Sequence, residues 1–132
     1  MRITPDTNVL VRVAVNDDPE QAREARRVLH DAEVVVLTLP ALCELVWVLR
    51  RSYRRRAEEI AAAIRSLISA STVIADRPAV EAGLATLEAG GDFADAVIAF
   101  EGRRLGGSIF TSFDQEAIEL VAAAGGKAQL LS

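Results

Sequence analysis

Cysteine, histidine and lysine are almost absent from this chain of 132 residues. A single cysteine, Cys43, excludes an intrachain disulfide and favours a reducing, cytoplasmic setting. With only His30 beside it, a zinc site built from histidine and cysteine is excluded as well. His30 lies in a charged segment, so Cys43 has no suitable partner for nucleophilic catalysis, and we interpret it as a small core residue.

Aromatic residues and long hydrophobic runs are also scarce. Aromatic side chains make up 5% of the chain against 51% apolar residues, so the core must be built mainly from Ala, Val, Leu and Ile. No apolar run is long enough to cross a membrane, and no charged start followed by an apolar segment suggests a secretion signal. We expect a soluble cytoplasmic protein that forms one domain over residues 1–132.

Positive charge is not in excess, but it is concentrated. The net charge of −4 argues against a surface that coats nucleic acid along its whole length. Five arginines nevertheless fall in the stretch RRSYRRR at 50–56, which leaves an acidic excess elsewhere. A basic rim beside an acidic centre is compatible with this distribution.

Short apolar runs alternate with segments of helical periodicity along the whole chain. The alternation predicts an α/β fold with a mostly parallel sheet of about five strands. The strands are predicted at 2–5, 34–39, 72–75, 108–112 and 127–131, and the helices at 19–32, 41–53, 56–69, 78–89, 92–106 and 114–125, with a further helical start near 9–13.

Acidic residues follow the predicted strands at the edge where open α/β sheets bind their ligands. Asp6 follows the first strand, Glu44 lies early in the helix after the second, and Asp114 follows the fourth. Asp92 and Asp95 open the helix that precedes the fourth strand. Three or four carboxylates gathered at one edge would raise one another's pKa unless a cation neutralised them.

Each aspartate also has a purely structural explanation. Asp6 could stabilise a turn through the backbone of Thr7 and Asn8. Asp92 could cap its helix with Asp95 at the third helical position, and Asp114 could cap the helix that follows it.

Glu44 is harder to explain structurally. Every neighbour from 41 to 49 is apolar, which predicts a helix buried on all sides, with Trp47 in the core. An ionised carboxylate in such surroundings is costly unless it is paired or binds a metal ion. Oxygen ligands select Mg²⁺ or Mn²⁺, and either ion suits phosphoryl chemistry, where it activates water and stabilises charge.

Four segments together resemble the PIN-domain ribonucleases, and specifically the VapC-type toxins of bacterial toxin–antitoxin pairs. They are DTNVLVR at 6–12, TLPALCELVWVLRR at 38–51, DFADAVIAFEGRRLG at 92–106 and FTSFDQEA at 110–117. The resemblance implies a three-layer α/β/α sandwich around a parallel five-stranded sheet. It implies that Asp6, Glu44 and Asp95 bind the metal and that Asp114 is the fourth acid.

The resemblance also implies supporting roles. Asn8 would orient Asp6, Asp92 would support the site or cap its helix, and Ser112 matches a hydroxyl position two residues before the fourth acid. Pro5 departs from the family pattern, which has an apolar strand residue there; it removes one backbone donor but leaves the carboxylate in place.

The function implied by the resemblance is Mg²⁺- or Mn²⁺-dependent cleavage of RNA, often transfer RNA, by the toxin of a type II toxin–antitoxin pair. Such toxins are usually homodimers and are inhibited by a cognate VapB-type antitoxin. The basic stretch would then contact RNA or the antitoxin, or else be a solvated helix end. The residues concerned are Arg50, Arg51, Arg54 and Arg55.

Two other classes of function remain to be weighed against this one. The domain could be an inactive module that binds nucleic acid or an antitoxin, although the complete set of acids argues against it. It could be a receiver-like signalling domain with Asp6 as the phosphoryl acceptor. That class needs a lysine near the site, and the only lysine is Lys127, in the last predicted strand.

Overall fold

In the computed structural model, which describes residues 1–132, helices and strands alternate as predicted, and the α/β class is confirmed. The chain divides into two units, residues 1–76 and residues 77–132. The expectation of one domain over the whole chain stays a prediction. None of the helices is both long and apolar enough to span a membrane.

The first unit contains three parallel strands and four helices. The strands are β1 (Arg2–Ile3), β2 (Val34–Leu37) and β3 (Val73–Ala75), and the helices are α1 (Thr7–Ala14), α2 (Pro19–Asp31), α3 (Leu39–Arg51) and α4 (Ala57–Ile68). Strand β2 lies between β1 and β3, with Ile3 opposite Val35. Helix α1 packs against α2 and α3, and the fully buried side chains of the unit are aliphatic: Leu10, Leu42, Leu45, Leu49, Ile60 and Ile64.

Strand β1 ends two residues earlier than predicted. It was expected to reach Pro5, but it ends at Ile3, and Pro5 is buried in the connection to α1. Proline has no N–H to donate to a neighbouring strand, so the ladder with β2 cannot continue through it. Asp6 and Thr38 each follow their strand, and each caps the helix that comes next.

The second unit contains two parallel strands and three helices. These are α5 (Arg77–Glu88), α6 (Phe93–Arg104), β4 (Ile109–Ser112), α7 (Gln115–Ala123) and β5 (Lys127–Leu130). Helices α5 and α6 pack closely together, and α7 packs on both strands. Helix α5 is followed by Gly90, whose φ of +95° is the left-handed conformation expected after a helix end.

All five predicted strands are present and all pair in parallel, but they do not form the single five-stranded sheet that was predicted. They form a set of three, in the order β1-β2-β3, and a set of two, β4-β5. Alternating strands and helices predict the number and direction of strands. Which strands pair depends on contacts between distant residues, which no local pattern encodes.

Candidate functional site

Asp6 is the N-cap of α1. Its Oδ1 accepts a hydrogen bond of 2.7 Å from the backbone N–H of Thr7, and the side chain is exposed. Of the turn predicted through Thr7 and Asn8, the structure shows the part that involves Thr7, in the form of a helix cap. A cap through one oxygen leaves a carboxylate with a second one, so this role and metal binding are compatible.

Thr7 and Asn8, which follow Asp6, differ in exposure. Thr7 is buried, and its Oγ1 has no hydrogen-bond partner. Asn8 is exposed and borders a groove between α1 and α2, together with Arg12, Gln21 and Glu24. An orienting contact from Asn8 to Asp6 stays a prediction.

Glu44 lies in the second turn of α3 and is exposed, which contradicts the prediction of a helix buried on all sides. Trp47, predicted to belong to the core, is also 59% exposed. The physical reason is that the position of a residue around the helix, and not the apolar character of its neighbours in sequence, decides whether it is buried. A metal-binding role for Glu44 stays a prediction, but burial no longer argues for it.

The exposed residues of α3 form one face of an amphipathic helix. They are Pro40, Glu44, Trp47, Arg50 and Arg51. The spacing of three or four residues is that of one helical face, and the opposite face carries the buried leucines. The Arg51 guanidinium carbon lies 5.9 Å from the centroid of the Trp47 ring, a distance at which a cation–π interaction forms.

The basic stretch is divided between a helix end and a turn. Arg50 and Arg51 are in the last turn of α3, where cations favour the helix dipole, whereas Arg54 and Arg55 follow it and are exposed. Arg54 has a φ of +52°, and the N–H of Arg55 donates to the carbonyl of Leu49 over 2.9 Å. The bond joins residues six apart and so closes a seven-residue turn, one residue wider than a Schellman motif, with arginine in the left-handed conformation that favours glycine.

Asp92 and Asp95 begin helix α6. Asp92 is its N-cap, and its Oδ1 accepts from the N–H of Ala94 over 3.0 Å, so the predicted cap is confirmed. Asp95 is in the first turn and is half-buried.

Asp114 is the N-cap of α7, as its structural explanation predicted. Its Oδ1 accepts from the N–H of Glu116 over 3.0 Å and from that of Ala117 over 3.3 Å. Ser112, at the end of β4, is in direct contact with this acid, because its Oγ accepts from the N–H of Asp114 over 2.9 Å. The serine therefore helps to fix the turn that presents the carboxylate.

Two aspartates of the second unit, Asp92 and Asp114, act electrostatically on a third, Asp95. Burial raises the pKa of the Asp95 carboxyl above its ordinary value, and the negative charges of Asp92 and Asp114 raise it further. This upward shift of pKa is the effect predicted for clustered carboxylates, and Asp95 is where it occurs. A cation bound among these groups would relieve the repulsion.

The carboxylates fit Mg²⁺ or Mn²⁺ by chemistry, because all the candidate ligands are hard oxygen donors. Of these predicted ligands, Asp6 and Glu44 lie in the first unit, and Asp95 and Asp114 lie in the second. Within either unit, no three Asp, Glu, His or Cys side chains converge as a complete set of metal ligands. The donor type and the crowded charge in the second unit therefore support a cation, and the ligand set stays a prediction.

The pairing of Trp47 with Arg51 is the feature that the sequence pattern did not reveal. A signal was available, since Glu44, Trp47 and Arg51 are spaced by three and four residues, as neighbours on one helical face are. The prediction that the whole apolar run is buried placed Trp47 in the core instead of beside Arg51.

Comparison with known proteins identifies the family of this chain. In structure, the chain is similar to the Mycobacterium tuberculosis toxin VapC20, a sarcin-ricin loop cleaving toxin, with 20% sequence identity over 93% of this chain and 95% of that one and a TM-score of 0.44. No curated protein matches the sequence. The PIN domain model matches residues 3–123, nearly the whole chain, and the chain therefore belongs to the PIN domain family.

Proposed function

We propose that this protein is a metal-dependent endoribonuclease that acts as the toxin of a type II toxin–antitoxin pair. Membership of the PIN domain family supports a nuclease. That membership is the observation that carries the proposal, and the charge crowding at Asp95, whose pKa is raised by burial, by Asp92 and by Asp114, supports a bound cation. Carboxylates that repel one another at a helix start are well suited to bind a divalent cation.

The proposed metal ligands are Asp6, Glu44, Asp95 and Asp114, with Mg²⁺ or Mn²⁺ as the ion. When bound, the ion supplies Lewis-acid stabilisation of phosphate charge and lowers the pKa of water. The chain supplies the orientation of the carboxylates. The caps at Asp6 and Asp114 restrict the rotation of both side chains, and Ser112 fixes the backbone of Asp114.

Asp95 has a further requirement, because it must be ionised to bind a cation. Its raised pKa means that the free protein holds this proton more strongly than an ordinary aspartate does. Metal affinity should therefore weaken as the pH falls through the pKa of Asp95. The exposed Glu44 is accessible to a metal ion.

The substrate and partners follow from the family resemblance and belong to the proposal. We propose that the protein acts in the cytoplasm on RNA loops, including those of transfer RNA, as a homodimer inhibited by a VapB-type antitoxin. The arginines at the end of α3 and in the following turn would attract the phosphate backbone or the antitoxin. They are Arg50, Arg51, Arg54 and Arg55.

The test is RNA cleavage by the purified protein with Mn²⁺. We expect Asp6→Asn and Glu44→Gln to abolish cleavage, since each removes a proposed ligand and keeps the side-chain shape. Glu58→Gln is the matched control, because Glu58 is an exposed helical glutamate of the same unit with no proposed role. It should cleave as the wild type does.

Full cleavage by both ligand variants would show that these acids are not the active site. Absence of cleavage by the wild type, with RNA binding retained, would favour the inactive binding module instead.

A further inference from the structure

The exposed face of α3 places an aromatic ring and a cation beside a proposed catalytic acid. At about 100° per residue, Glu44, Trp47 and Arg51 lie within an arc of roughly 60°. Trp47 is three residues from Glu44, which is about 4.5 Å along the helix axis. All three side chains are exposed.

An exposed tryptophan on this face needs an explanation. Trp47 is the only tryptophan of the chain, and more than half of its surface is open to water. The fold does not need it as core, because the opposite face of α3 already supplies the buried Leu42, Leu45 and Leu49. Arg51 lies beside the ring and orients it through the cation–π contact.

The charge around the ring suits a polyanion. Arg50 and Arg51 end the helix, and Arg54 follows in the exposed turn, so several positive side chains lie on the C-terminal side of Trp47. Aromatic rings flanked by cations are the usual means by which proteins bind unpaired nucleotides: the ring stacks on a base while the cations attract phosphates. A protein partner would match the apolar ring but would need acidic groups to match the arginines.

We propose that Trp47 is a stacking platform for an unpaired RNA base, with Arg51 holding the ring in position. The inference rests on the proposed ribonuclease function and adds to it a residue that binds the substrate, the stacking ring of Trp47. A base stacked on Trp47 lies close enough to Glu44 to belong to a nucleotide next to the one that is cut. Trp47 therefore acts as a binding residue, and Arg51 as a positioning residue.

The only tryptophan provides a direct signal of stacking. We would titrate the full chain with a short, unstructured oligouridylate in EDTA, so that hydrolysis does not compete, and follow tryptophan fluorescence. Stacking predicts saturable quenching. Inorganic polyphosphate, which has the charge but no bases, should compete with the RNA for the arginines without quenching the fluorescence of the free protein.

Variants then separate stacking from other apolar contacts, with affinity measured by the anisotropy of labelled RNA. We expect Trp47→Leu to weaken binding about 5- to 100-fold, since stacking on a base contributes about 1–3 kcal/mol. Trp47→Phe should keep most of the affinity because it keeps an aromatic face. Leu105→Ala, at a residue 88% exposed and without a proposed role, is the control and should bind as the wild type does.

Arg51 is tested by Arg51→Gln, which keeps the length and removes the charge. As a positioning residue it should alter the fluorescence of Trp47 in the free protein as well as reduce RNA affinity. A role as a simple phosphate contact would reduce affinity and leave the fluorescence of the free protein unchanged.

Failure of this inference can be told from failure of the proposed function. If the wild type cleaves RNA but Trp47→Leu binds RNA equally well, stacking is wrong and the ribonuclease stands. A change of oligomeric state in Trp47→Leu with unchanged RNA affinity would assign the face to a protein contact and overturn the inference. If RNA binding depends on Trp47 but no variant or wild type cleaves, stacking stands and the ribonuclease does not. If the wild type neither binds nor cleaves, both are wrong.

Discussion

The ring of Phe93 lies directly against the backbone of Gly83. A Cβ atom added to Gly83 would be 2.5 Å from Cε2 of Phe93, closer than real Cβ contacts come. Phe93 is fully buried and is the first residue of α6, between the cap Asp92 and the acid Asp95. The absence of a side chain at Gly83 therefore sets how closely α5 approaches the end of α6 that carries the acids.

Gly83→Ala should destabilise the fold by about 1–3 kcal/mol, because a methyl group there must displace a buried ring. Gly102→Ala is the matched control in α6. Its added Cβ would meet only the Gly107 carbonyl oxygen, at an ordinary 3.9 Å, and alanine favours a helix over glycine. Urea denaturation measures the free energy of unfolding of both variants. Equal stability of Gly83→Ala and the wild type would contradict the packing described.

Asp95→Asn should stabilise the metal-free protein at neutral pH. The raised pKa of Asp95 means that the folded chain binds this proton more strongly than the unfolded chain. The stability due to that proton is complete at low pH and is lost as the pH rises from the ordinary pKa through the raised one. Asparagine does not ionise, so the variant does not lose stability at this position as the pH rises. The gain should stay below about 1 kcal/mol, since the half-exposed carboxyl is screened by solvent.

The measurement is urea denaturation in EDTA at acidic and at neutral pH. The advantage of Asp95→Asn over the wild type should shrink at acidic pH, where the aspartate is protonated. An advantage of the variant that grew on acidification would show that the sign of the pKa shift is wrong.

Addition of Mg²⁺ or Mn²⁺ should raise the melting temperature of the wild type. Ligand at about 100 times its dissociation constant stabilises a folded protein by about 2.7 kcal/mol if only the folded state binds it. Asp95→Asn should abolish most of the increase, and Glu58→Gln should retain it. No thermal shift of the wild type at millimolar metal would count against a metal site.

Thr7→Val should be neutral or stabilising by up to about 1 kcal/mol. The Oγ1 of Thr7 is buried without a hydrogen-bond partner, and valine replaces the hydroxyl with a methyl group of similar size. Thr7→Ser is the comparison, since it keeps the hydroxyl and removes a methyl group, and it should be the less stable of the two. Thermal denaturation of both variants shows which of them is more stable. A clear loss of stability in Thr7→Val would mean that the hydroxyl makes a bond after all.

Arg54→Gly removes one charge from the basic turn and relieves the backbone strain at that position. The left-handed φ of +52° at Arg54 costs about 1–2 kcal/mol for a residue with a side chain, and glycine adopts it freely. We expect the variant to be at least as stable as the wild type and to bind RNA less tightly, with a salt dependence reduced by about one phosphate contact. Arg54→Ala removes the same charge but keeps the strain, so it should match the RNA affinity of Arg54→Gly and be less stable.

Features encoded in short stretches were predictable from the sequence. Asp92 and Asp114 were each recognised as possible helix caps, and each caps its helix. These caps depend on one side chain and the next few backbone N–H groups, so a few residues contain the whole signal. Features that depend on distant contacts were not predictable in the same way. One example is the division of the strands into a set of three and a set of two, and a second example is the exposure of Trp47.

The candidate site likewise has features that could be predicted from short stretches and features that depend on distant contacts. The effect of Asp92 and Asp114 on Asp95 could be anticipated, because all three lie at the starts of consecutive helices. The burial of Glu44 could not be judged from its neighbours in sequence. The exposure of a helical residue depends on where the rest of the chain packs, and α3 packs against α1 and α4.

The helix caps at Asp6, Asp92 and Asp114 have an evolutionary consequence. Asparagine caps a helix about as well as aspartate does, but its neutral amide is a poor ligand for a hard cation. A single nucleotide change converts one residue into the other. A lineage could therefore lose the chemistry in one mutational step while the helices keep their caps and the interior stays intact, and regain it by the reverse step. Selection on the activity of such a chain is free to act almost independently of selection on its folding.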